Sequence, residues 1–292
     1  MKTVRTHWRD AVESADVSID GGGPEDALLE VVSIDHRGAD IALIRFNRPA
    51  SLNPMDKNTI GALGSLLSVL SSDKIDRAPD AIVLTGKGAS FSAGGDLKGY
   101  QDLYRRPDQL RHFMQSFAEV CHLLEACPSL TVAMINGTCV AGGLEISLAC
   151  DLMTASETAR IGDAHLKFAQ LPGAGASQRL TKAIGSARAS KWLLTGRLFD
   201  AAEAEAAGLI SLLAPLEALQ EATLDLVAEI AQHSPLARRR MKELITIAET
   251  TDLAEGLARE ADIFFEHCTQ SYDVYEGLRA FADKRPARYH GR

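Results

Sequence analysis

Two glycine-rich segments follow short apolar runs of β-strand character, and their backbones could stabilise a negative charge. Residues 81–84 precede Ala93-Gly94-Gly95-Asp96, and residues 130–135 precede Ala141-Gly142-Gly143 at a predicted helix start. Glycine lets backbone N–H groups face a cavity without a Cβ in the way, and a helix N-terminus favours negative charge. Two converging N–H groups would form an oxyanion hole for a carbonyl, each worth about 3 kcal/mol. Two ordinary tight turns remain the alternative on this pattern alone.

Other catalytic motifs are incomplete. Gly173-Ala-Gly175-Ala-Ser-Gln178 begins like a dinucleotide-binding fingerprint but has glutamine at the last glycine. Gly88-Ala-Ser-Phe-Ser92 ends in serine where a nucleophile elbow needs glycine. Asp163 and His165 could bind a metal, but two ligands fall short of a site. These patterns therefore do not predict nicotinamide, serine-hydrolase or metal chemistry.

Composition excludes several classes of protein. The chain has 292 residues, of which 46% are hydrophobic and 24% charged, a balance typical of a folded domain with its own core. A net charge of −8 leaves no basic excess to neutralise nucleic-acid phosphates. The chain contains neither a signal-peptide core nor an apolar run of membrane-spanning length. Five cysteines without a C-x-x-C pair indicate reduced thiols. We therefore expect a cytoplasmic protein with neither nucleic acid nor membrane as a partner.

Strand and helix patterns alternate and then give way to helices, which predicts an α/β core with a helical C-terminal region. The predicted strands are 29–34, 41–46, 81–84, 130–135 and 152–155, and the predicted helices of the core are 56–71, 108–126 and 142–149. From about residue 176 the pattern is helical, with amphipathic helices at 216–232, 235–249, 253–268 and 271–283. We expect a polar extension over 1–27, a core over 28–200 and a helical region over 201–292.

Several further motifs occur in a fixed order between about residues 28 and 285. They are Asn47-Arg48-Pro49 with Leu52-Asn53, Phe91-Ser-Ala-Gly-Gly-Asp-Leu-Lys98, Asn136-Gly137 through Ala141-Gly-Gly-Leu-Glu145, Cys150-Asp151, residues 171–180, Leu194-Thr-Gly-Arg197 and Ala206-Ala-Gly-Leu-Ile210. Together they resemble the crotonase family of enoyl-CoA hydratases and isomerases. The resemblance implies an α/β fold with a ββα spiral core, assembled as a homotrimer or a dimer of trimers. It also implies an acyl-CoA thioester as the substrate, with no other cofactor.

The same resemblance implies where an acyl-CoA would bind. The N–H groups of Gly95 and Gly142 would hold the thioester carbonyl between them. Positions implied for contacts to coenzyme A and substrate are Ser51, Leu52, Ala93, Asp96, Lys98 and Gly173. Ala50 replaces a charged residue that the family often has there, which weakens the phosphate contacts implied for that loop. Lys284 and Arg285 could reach the phosphates of coenzyme A, or belong to a solvated tail.

The family's hydratases hold one water molecule between two glutamates, and this chain matches only one of them. Glu145 falls on the first position, which takes a proton from the water. His165, seven residues before Pro172, falls on the second position, which supplies a proton to the α-carbon. Because histidine has an unperturbed pKa near 6.5, His165 could be neutral and basic at pH 7. Alternatively, it lines the pocket and shapes specificity.

The leading interpretation is hydration or double-bond isomerisation of a 2-enoyl-CoA, with Glu145 and His165 as the acid/base pair. One alternative is retro-Claisen hydrolysis of a carbon–carbon bond in a β-dicarbonyl, in which His165 activates water and Glu145 or Asp163 orients it. A lower alternative is a non-catalytic CoA-binding or assembly subunit. Such a subunit would be expected to lack an oxyanion or acid/base residue, whereas Gly95, Gly142 and Glu145 are all present. The sequence does not identify the acyl group of the substrate.

Overall fold

The computed structural model describes residues 7–12, 18–19, 27–72, 75 and 77–292, which divide into two compact units, Met1–Asp225 and Leu226–Arg292. The strands are β1 (Ser18–Ile19), β2 (Leu29–His36), β3 (Ala39–Phe46), β4 (Ala81–Gly86), β5 (Ser90–Ser92), β6 (Leu130–Ile135), β7 (Thr138–Val140), β8 (Leu152–Ser156), β9 (Arg160–Gly162), β10 (Phe199–Asp200) and β11 (Leu212–Ala214). The helices are α1 (Trp8–Val12), α2 (Lys57–Leu70), α3 (Leu97–Leu103), α4 (Pro107–Glu125), α5 (Gly142–Leu148), α6 (Ala176–Ile184), α7 (Ser186–Thr195), α8 (Ala201–Ala206), α9 (Leu216–Ala231), α10 (Pro235–Thr250), α11 (Leu253–Gln270) and α12 (Tyr272–Ala282). Short 3-10 helices occur at Pro49–Ser51 and His165–Phe168.

The strands form two sheets that the chain visits in turn. The larger sheet has the order β1-β2-β3-β4-β6-β8-β11 and the smaller has the order β10-β9-β7-β5. In three successive repeats, the first strand (β4, β6 or β8) joins the larger sheet and the second (β5, β7 or β9) joins the smaller one. A helical segment follows each pair, so the first unit has the ββα spiral that the sequence resemblance implies.

Buried apolar residues explain the central strands and the helix packed beside them. Strand β4 is buried along its length and pairs in parallel with β3 and β6, as expected of strands covered on both faces. Helix α2 buries the apolar stripe predicted from the sequence, which consists of Ile60, Leu63, Leu66, Leu67 and Leu70. Its N-terminus is capped by Asp56, whose Oδ1 accepts a hydrogen bond from Thr59 N at 2.9 Å.

The sequence pattern missed the short strands. Strands β5, β7 and β9 each have three residues and lie where turns or glycine-rich loops are expected. Strands β10 and β11 lie in a region expected to be wholly helical, and β11 pairs in parallel with β8. Two or three residues are too few to show an alternating pattern, so only their tertiary partners identify them as strands. Because β11 completes the larger sheet, the first unit extends beyond the predicted boundary at residue 200, to Asp225.

The N-terminal segment also differs from the expected polar extension. Trp8 and Val12 on α1 are buried in the core, and β1 pairs in parallel with β2. Trp8 Nε1 donates a hydrogen bond to Asp40 Oδ2 at 2.7 Å, and Arg9 Nη2 bonds Asp40 Oδ1 at 2.8 Å. An isolated aromatic residue in a polar stretch carries no periodic signal, which is why the pattern did not reveal this docking. The glycine-rich run Gly21-Gly-Gly-Pro24 lies outside the described residues.

The second unit is helical, as expected. Asp273 Oδ2 accepts a hydrogen bond from Ser234 Oγ at 2.5 Å, which joins the start of α10 to the first turn of α12. Arg285 donates to both carboxylate oxygens of Glu276, at 2.7 and 3.0 Å, so this candidate phosphate ligand already has an anionic partner. Across the described residues, no helix combines the length and apolar character needed to cross a bilayer.

The packing of Trp8 predicts that the N-terminal segment stabilises the fold. Trp8→Ala should lower the free energy of unfolding by about 3–5 kcal/mol, because a large buried ring is removed. Trp8→Phe should lower it by about 1–2 kcal/mol, because Asp40 loses a buried donor while most of the ring remains. Denaturant unfolding measures both changes. Arg9→Ala is the control, since a half-exposed ion pair contributes about 1 kcal/mol or less. A loss for Trp8→Ala no larger than that of Arg9→Ala would contradict the prediction.

Candidate active site

A cavity of about 110 Å³ in the first unit brings together both glycine-rich segments and the segment around His165. Its wall is mainly apolar, and α3 and α4 supply six of its nineteen described lining residues. The apolar side chains of the wall include Leu97, Leu110, Phe113, Met114, Phe117, Phe168 and Leu171. The ionisable side chains among its described lining residues are Tyr100, Tyr104, Glu145 and His165.

Six of the ten residues selected from the sequence line this cavity. They are Ala93, Gly95, Gly142, Glu145, His165 and Gly173. The other four lie outside its lining, in the 3-10 helix at Pro49–Ser51 and at the start of α3. Leu52 is exposed, but its carbonyl accepts a hydrogen bond at 2.9 Å from the backbone N of Ala93, which lines the cavity. Asp96 caps α3 by accepting a hydrogen bond from Lys98 N at 3.2 Å, whereas Ser51 and Lys98 are solvent-exposed.

The two glycines chosen for an oxyanion hole lie where an added Cβ would be crowded, severely at Gly95 and moderately at Gly142. Gly142 is the first residue of α5, so its N–H has no partner within the helix. The preceding Ala141 has φ 50° and ψ −116°, a strained conformation of the kind that clusters at functional sites. A Cβ on Gly95 would collide with the Tyr100 ring, and a Cβ on Gly142 would lie 3.2 Å from Met55 and Phe117. Both backbones are therefore packed closely at the cavity wall.

Glu145 is a buried carboxylate held by backbone donors. The residue is 2% exposed, and its Oε1 accepts hydrogen bonds from Ala174 N at 2.7 Å and Ala176 N at 3.2 Å. Burial raises the pKa of Glu145, while the positive charge of His165 and the two N–H groups offset part of that increase. Arg179 Nη1 donates to the Ala174 carbonyl at 2.7 Å and supports the same turn. The other carboxylate oxygen, Oε2, is left to interact with a molecule in the cavity that the Glu145 side chain lines.

His165 pairs with a carboxylate that lies outside the cavity. Its Nδ1 is 2.8 Å from Oδ1 of Asp163, and its backbone N donates to Oδ2 at 3.3 Å. Burial by itself would lower the pKa of His165, but the hydrogen bond to Asp163 and the charges of Asp163 and Glu145 outweigh burial and raise it. These anionic neighbours therefore favour the imidazolium form more than the surroundings of an isolated histidine would.

The group of donors that could hold a metal lies away from Asp163 and His165. Within the described residues, a group of three donors suited to a metal occurs elsewhere, at His36, Glu221 and Asp225. There Asp225 Oδ1 is already paired with His36 Nε2 at 2.6 Å and with Arg37 Nη2 at 3.0 Å.

Tyr100 is a cavity residue that sequence reasoning missed. It lies on α3, beside Gly95, and stacks on Tyr104 with ring centroids 5.5 Å apart. Burial raises the pKa of its phenol above the ordinary tyrosine range, and the nearby acidic groups raise it further, so the hydroxyl stays protonated and can donate a hydrogen bond. Asp96 directly before an apolar residue is a helix N-cap signal that would have predicted α3.

Comparison with known proteins agrees with this geometry. The family model described as enoyl-CoA hydratase/isomerase matches residues 36–292. The chain is 35% identical over 255 residues to a Mycobacterium tuberculosis protein named "Probable enoyl-CoA hydratase echA8", covering 87% of this chain and 95% of that one. It is 34% identical over 269 residues to the mitochondrial methylglutaconyl-CoA hydratase of Rattus norvegicus, covering 90% and 83%.

A solved structure shows the same fold. The crystal structure of enoyl-CoA hydratase from Bacillus anthracis superposes with a TM-score of 0.83 at 32% sequence identity, covering 91% of this chain and 100% of that one. The matches extend through the spiral and the cavity, and the family model also includes the helical C-terminal region. This chain therefore belongs to the enoyl-CoA hydratase/isomerase family and is an acyl-CoA-transforming enzyme of the crotonase type.

Proposed function

We propose that this enzyme adds water to the double bond of a 2-enoyl-CoA, with Glu145 as the base and His165 as the acid. The observation that carries the proposal is the presence of a buried carboxylate and an imidazole with a raised pKa in one cavity. Hydration needs one group that takes a proton and another that supplies one. The pair meets this need when it carries a single transferable proton, with Glu145 ionised and His165 protonated.

In the proposed reaction, the Glu145 carboxylate removes a proton from water as the water oxygen forms a bond to the β-carbon. The carbon–carbon π electrons move toward the thioester, whose oxygen becomes an enolate. The N–H groups of Gly95 and Gly142 stabilise that negative charge. The enolate then collapses as the α-carbon takes a proton from His165, which yields a 3-hydroxyacyl-CoA. Transfer of the proton from Glu145 to His165 then restores the starting state of the pair.

The cavity wall favours an uncharged acyl group. Apart from the proton-transfer pair, the described lining residues contain no side chain carrying a formal charge at neutral pH. Moving an unpaired carboxylate into such surroundings costs several kcal/mol. We therefore propose a neutral hydrocarbon acyl chain as the substrate class. Ser51, Leu52, Ala93, Asp96, Lys98 and Gly173 remain the proposed contacts to coenzyme A and substrate.

We also propose that the thioester substrate is sufficient for activity, without an added cofactor, and that the enzyme works in the cytoplasm as a homotrimer or a dimer of trimers. Exposed apolar side chains in the second unit support self-association, since large apolar patches mark contact surfaces. Leu253, Phe264 and Phe265 on α11, and Phe281 on α12, are each at least 67% exposed.

Glu145→Gln should lower kcat for hydration by about 10²–10⁴-fold, because the amide cannot accept the proton of water. Stopped assays with neutral enoyl-CoAs and β-diketo-CoAs, with products identified by mass, measure both the rate and the reaction type. Glu119→Gln, which changes an exposed glutamate on α4, should leave the rate unchanged. Activity of Glu145→Gln within a few-fold of the parent, or fragmentation of the acyl chain in place of water addition, would contradict the proposal.

Gly142→Pro should lower kcat by about 10²-fold or more, because proline removes the proposed N–H donor to the enolate oxygen. Proline at position 142 also distorts the start of α5, because the φ of 50° and ψ of −116° at Ala141 lie outside the extended region required before proline. Gly142→Ala is the matched control, since it adds a methyl group but keeps the N–H. Coenzyme A binding must be retained in both variants. Equal losses for the proline and alanine variants would show that crowding, and not the lost donor, lowers the rate.

The pH profile of kcat/KM should be bell-shaped, because the active pair carries one proton. Protonation of Glu145 gives the acid limb, and loss of the proton from His165 gives the alkaline limb. Since the pKa of His165 is raised from 6.5, the alkaline limb should lie above pH 6.5. His165→Gln should lower the rate at least about 10²-fold and abolish the alkaline limb. His165→Glu should recover part of the hydration rate. A glutamine variant that retains both the parent rate and the alkaline limb would show that His165 only lines the cavity.

A further inference from the structure

The turn after β9 buries a carboxylate that the proposed reaction does not use. Asp163 is 1% exposed, and both of its oxygens bond to the same residue, one to the ring and one to the backbone of His165. Ala164 between them adopts the left-handed conformation, with φ 55° and ψ 0°. This conformation is unfavourable for alanine, so the tertiary structure must maintain the turn that brings the two side chains together.

We propose that Asp163 is a positioning residue that keeps the proton of His165 on Nδ1 and presents Nε2 to the cavity as the group that gives up the catalytic proton. The proposal rests on the function proposed above, in which His165 is the acid. A hydrogen bond at one ring nitrogen decides which nitrogen remains available at the other. Because Nδ1 is 2.8 Å from Asp163 Oδ1, Nε2 is the nitrogen left for the cavity that His165 lines.

The carboxylate also accounts for how a histidine replaces the glutamate of the family pattern. A glutamate that donates its proton leaves as an anion, whereas an imidazolium becomes neutral. With ionised Asp163 included, the set of Asp163, His165 and Glu145 carries a net charge of −1 when His165 is protonated and Glu145 is ionised. Two glutamates sharing one proton also carry −1. With Asp163 included, the net charge of the site before the enolate forms is therefore the same as that of two glutamates sharing one proton.

Other charged groups near His165 do not replace this role. The titratable and charged groups on neighbouring elements are Glu145 on α5, Tyr100 on α3, Arg188 and Lys191 on α7, and Lys167 on the 3-10 turn itself. Lys191 pairs with Glu203 at 2.7 Å, and Arg188 donates to a backbone carbonyl at 3.4 Å. Lys167 is exposed to solvent. The carboxylate bonded directly to the His165 ring is that of Asp163.

The test is Asp163→Asn in the full chain, with two readouts. In protein labelled with ¹³C and ¹⁵N at histidine, the resonances of His165 are assigned by their loss in His165→Gln, and their titration midpoint is measured. The midpoint should fall in Asp163→Asn, and the alkaline limb of kcat/KM should move to lower pH with it. The value of kcat should fall by about 10²-fold or more, as for loss of a carboxylate that orients a catalytic histidine. Asp163→Glu, which keeps a carboxylate, should recover part of kcat.

Asp225→Asn is the matched control, because Asp225 also pairs with a histidine, His36, outside the cavity. It should leave kcat, the pH profile and the His165 midpoint unchanged. An unmoved His165 midpoint in Asp163→Asn overturns the proposal, even if activity is lost, and so does a midpoint that falls while the alkaline limb stays in place.

Two further measurements on the parent protein separate the role of Asp163 from the proposed hydration. If Asp163→Asn does not fold, the ¹⁵N shifts of His165 in the parent protein are measured, because they show which ring nitrogen carries the proton in the neutral form. A proton on Nε2 in that form overturns the proposal. The parent's failure to hydrate any enoyl-CoA would refute the proposed function separately, because the midpoint and tautomer do not depend on turnover.

Discussion

Burial of the Glu145 carboxylate is the constraint around which this site is organised. An ionised carboxylate taken out of water without partners is strongly unfavourable, and the protein supplies two backbone N–H groups, from Ala174 and Ala176, to one of its oxygens. Arg179 supports the turn that carries these donors, since it donates to the Ala174 carbonyl and pairs with Glu125 at 2.6 Å. The backbone thus fixes Oε1 of Glu145, while Oε2 is left to interact with a molecule in the cavity.

The ββα spiral explains why the glycines lie beside this carboxylate. Each repeat sends its second strand into the small sheet and then turns into a helical segment, so β5, β7 and β9 end near one another. Ala141 N donates to the carbonyl of Gly162 at 3.1 Å, which links the start of α5 to the end of β9. Gly95 on the first repeat, Gly142 on the second and His165 on the third therefore line one cavity. The parallel pairing of β5, β7 and β9 brings together the segments that carry these residues.

The site differs from a pair of glutamates in one respect with consequences for the chemistry. Where the family pattern implied by the sequence has a glutamate, this chain has His165 bonded to Asp163, and that hydrogen bond and charge raise the pKa of the imidazole against the effect of burial. Protonation of the pair is therefore a shared property, and neither Glu145 nor His165 has a proton affinity independent of the other.

The sequence by itself determined the class of fold, the apolar face of α2, the long helices and the residues able to do chemistry. Periodicity and glycine-rich motifs are local properties, so they could be interpreted without knowing what each segment contacts. Tertiary structure alone decided the three-residue strands and the burial of Trp8, since each depends on partners distant in the chain. It also decided the hydrogen-bonding environment of His165: the sequence places an aspartate two residues away, but only the left-handed turn at Ala164 brings that carboxylate to Nδ1. A proton's position depends on distances and burial, and those are properties of the folded chain.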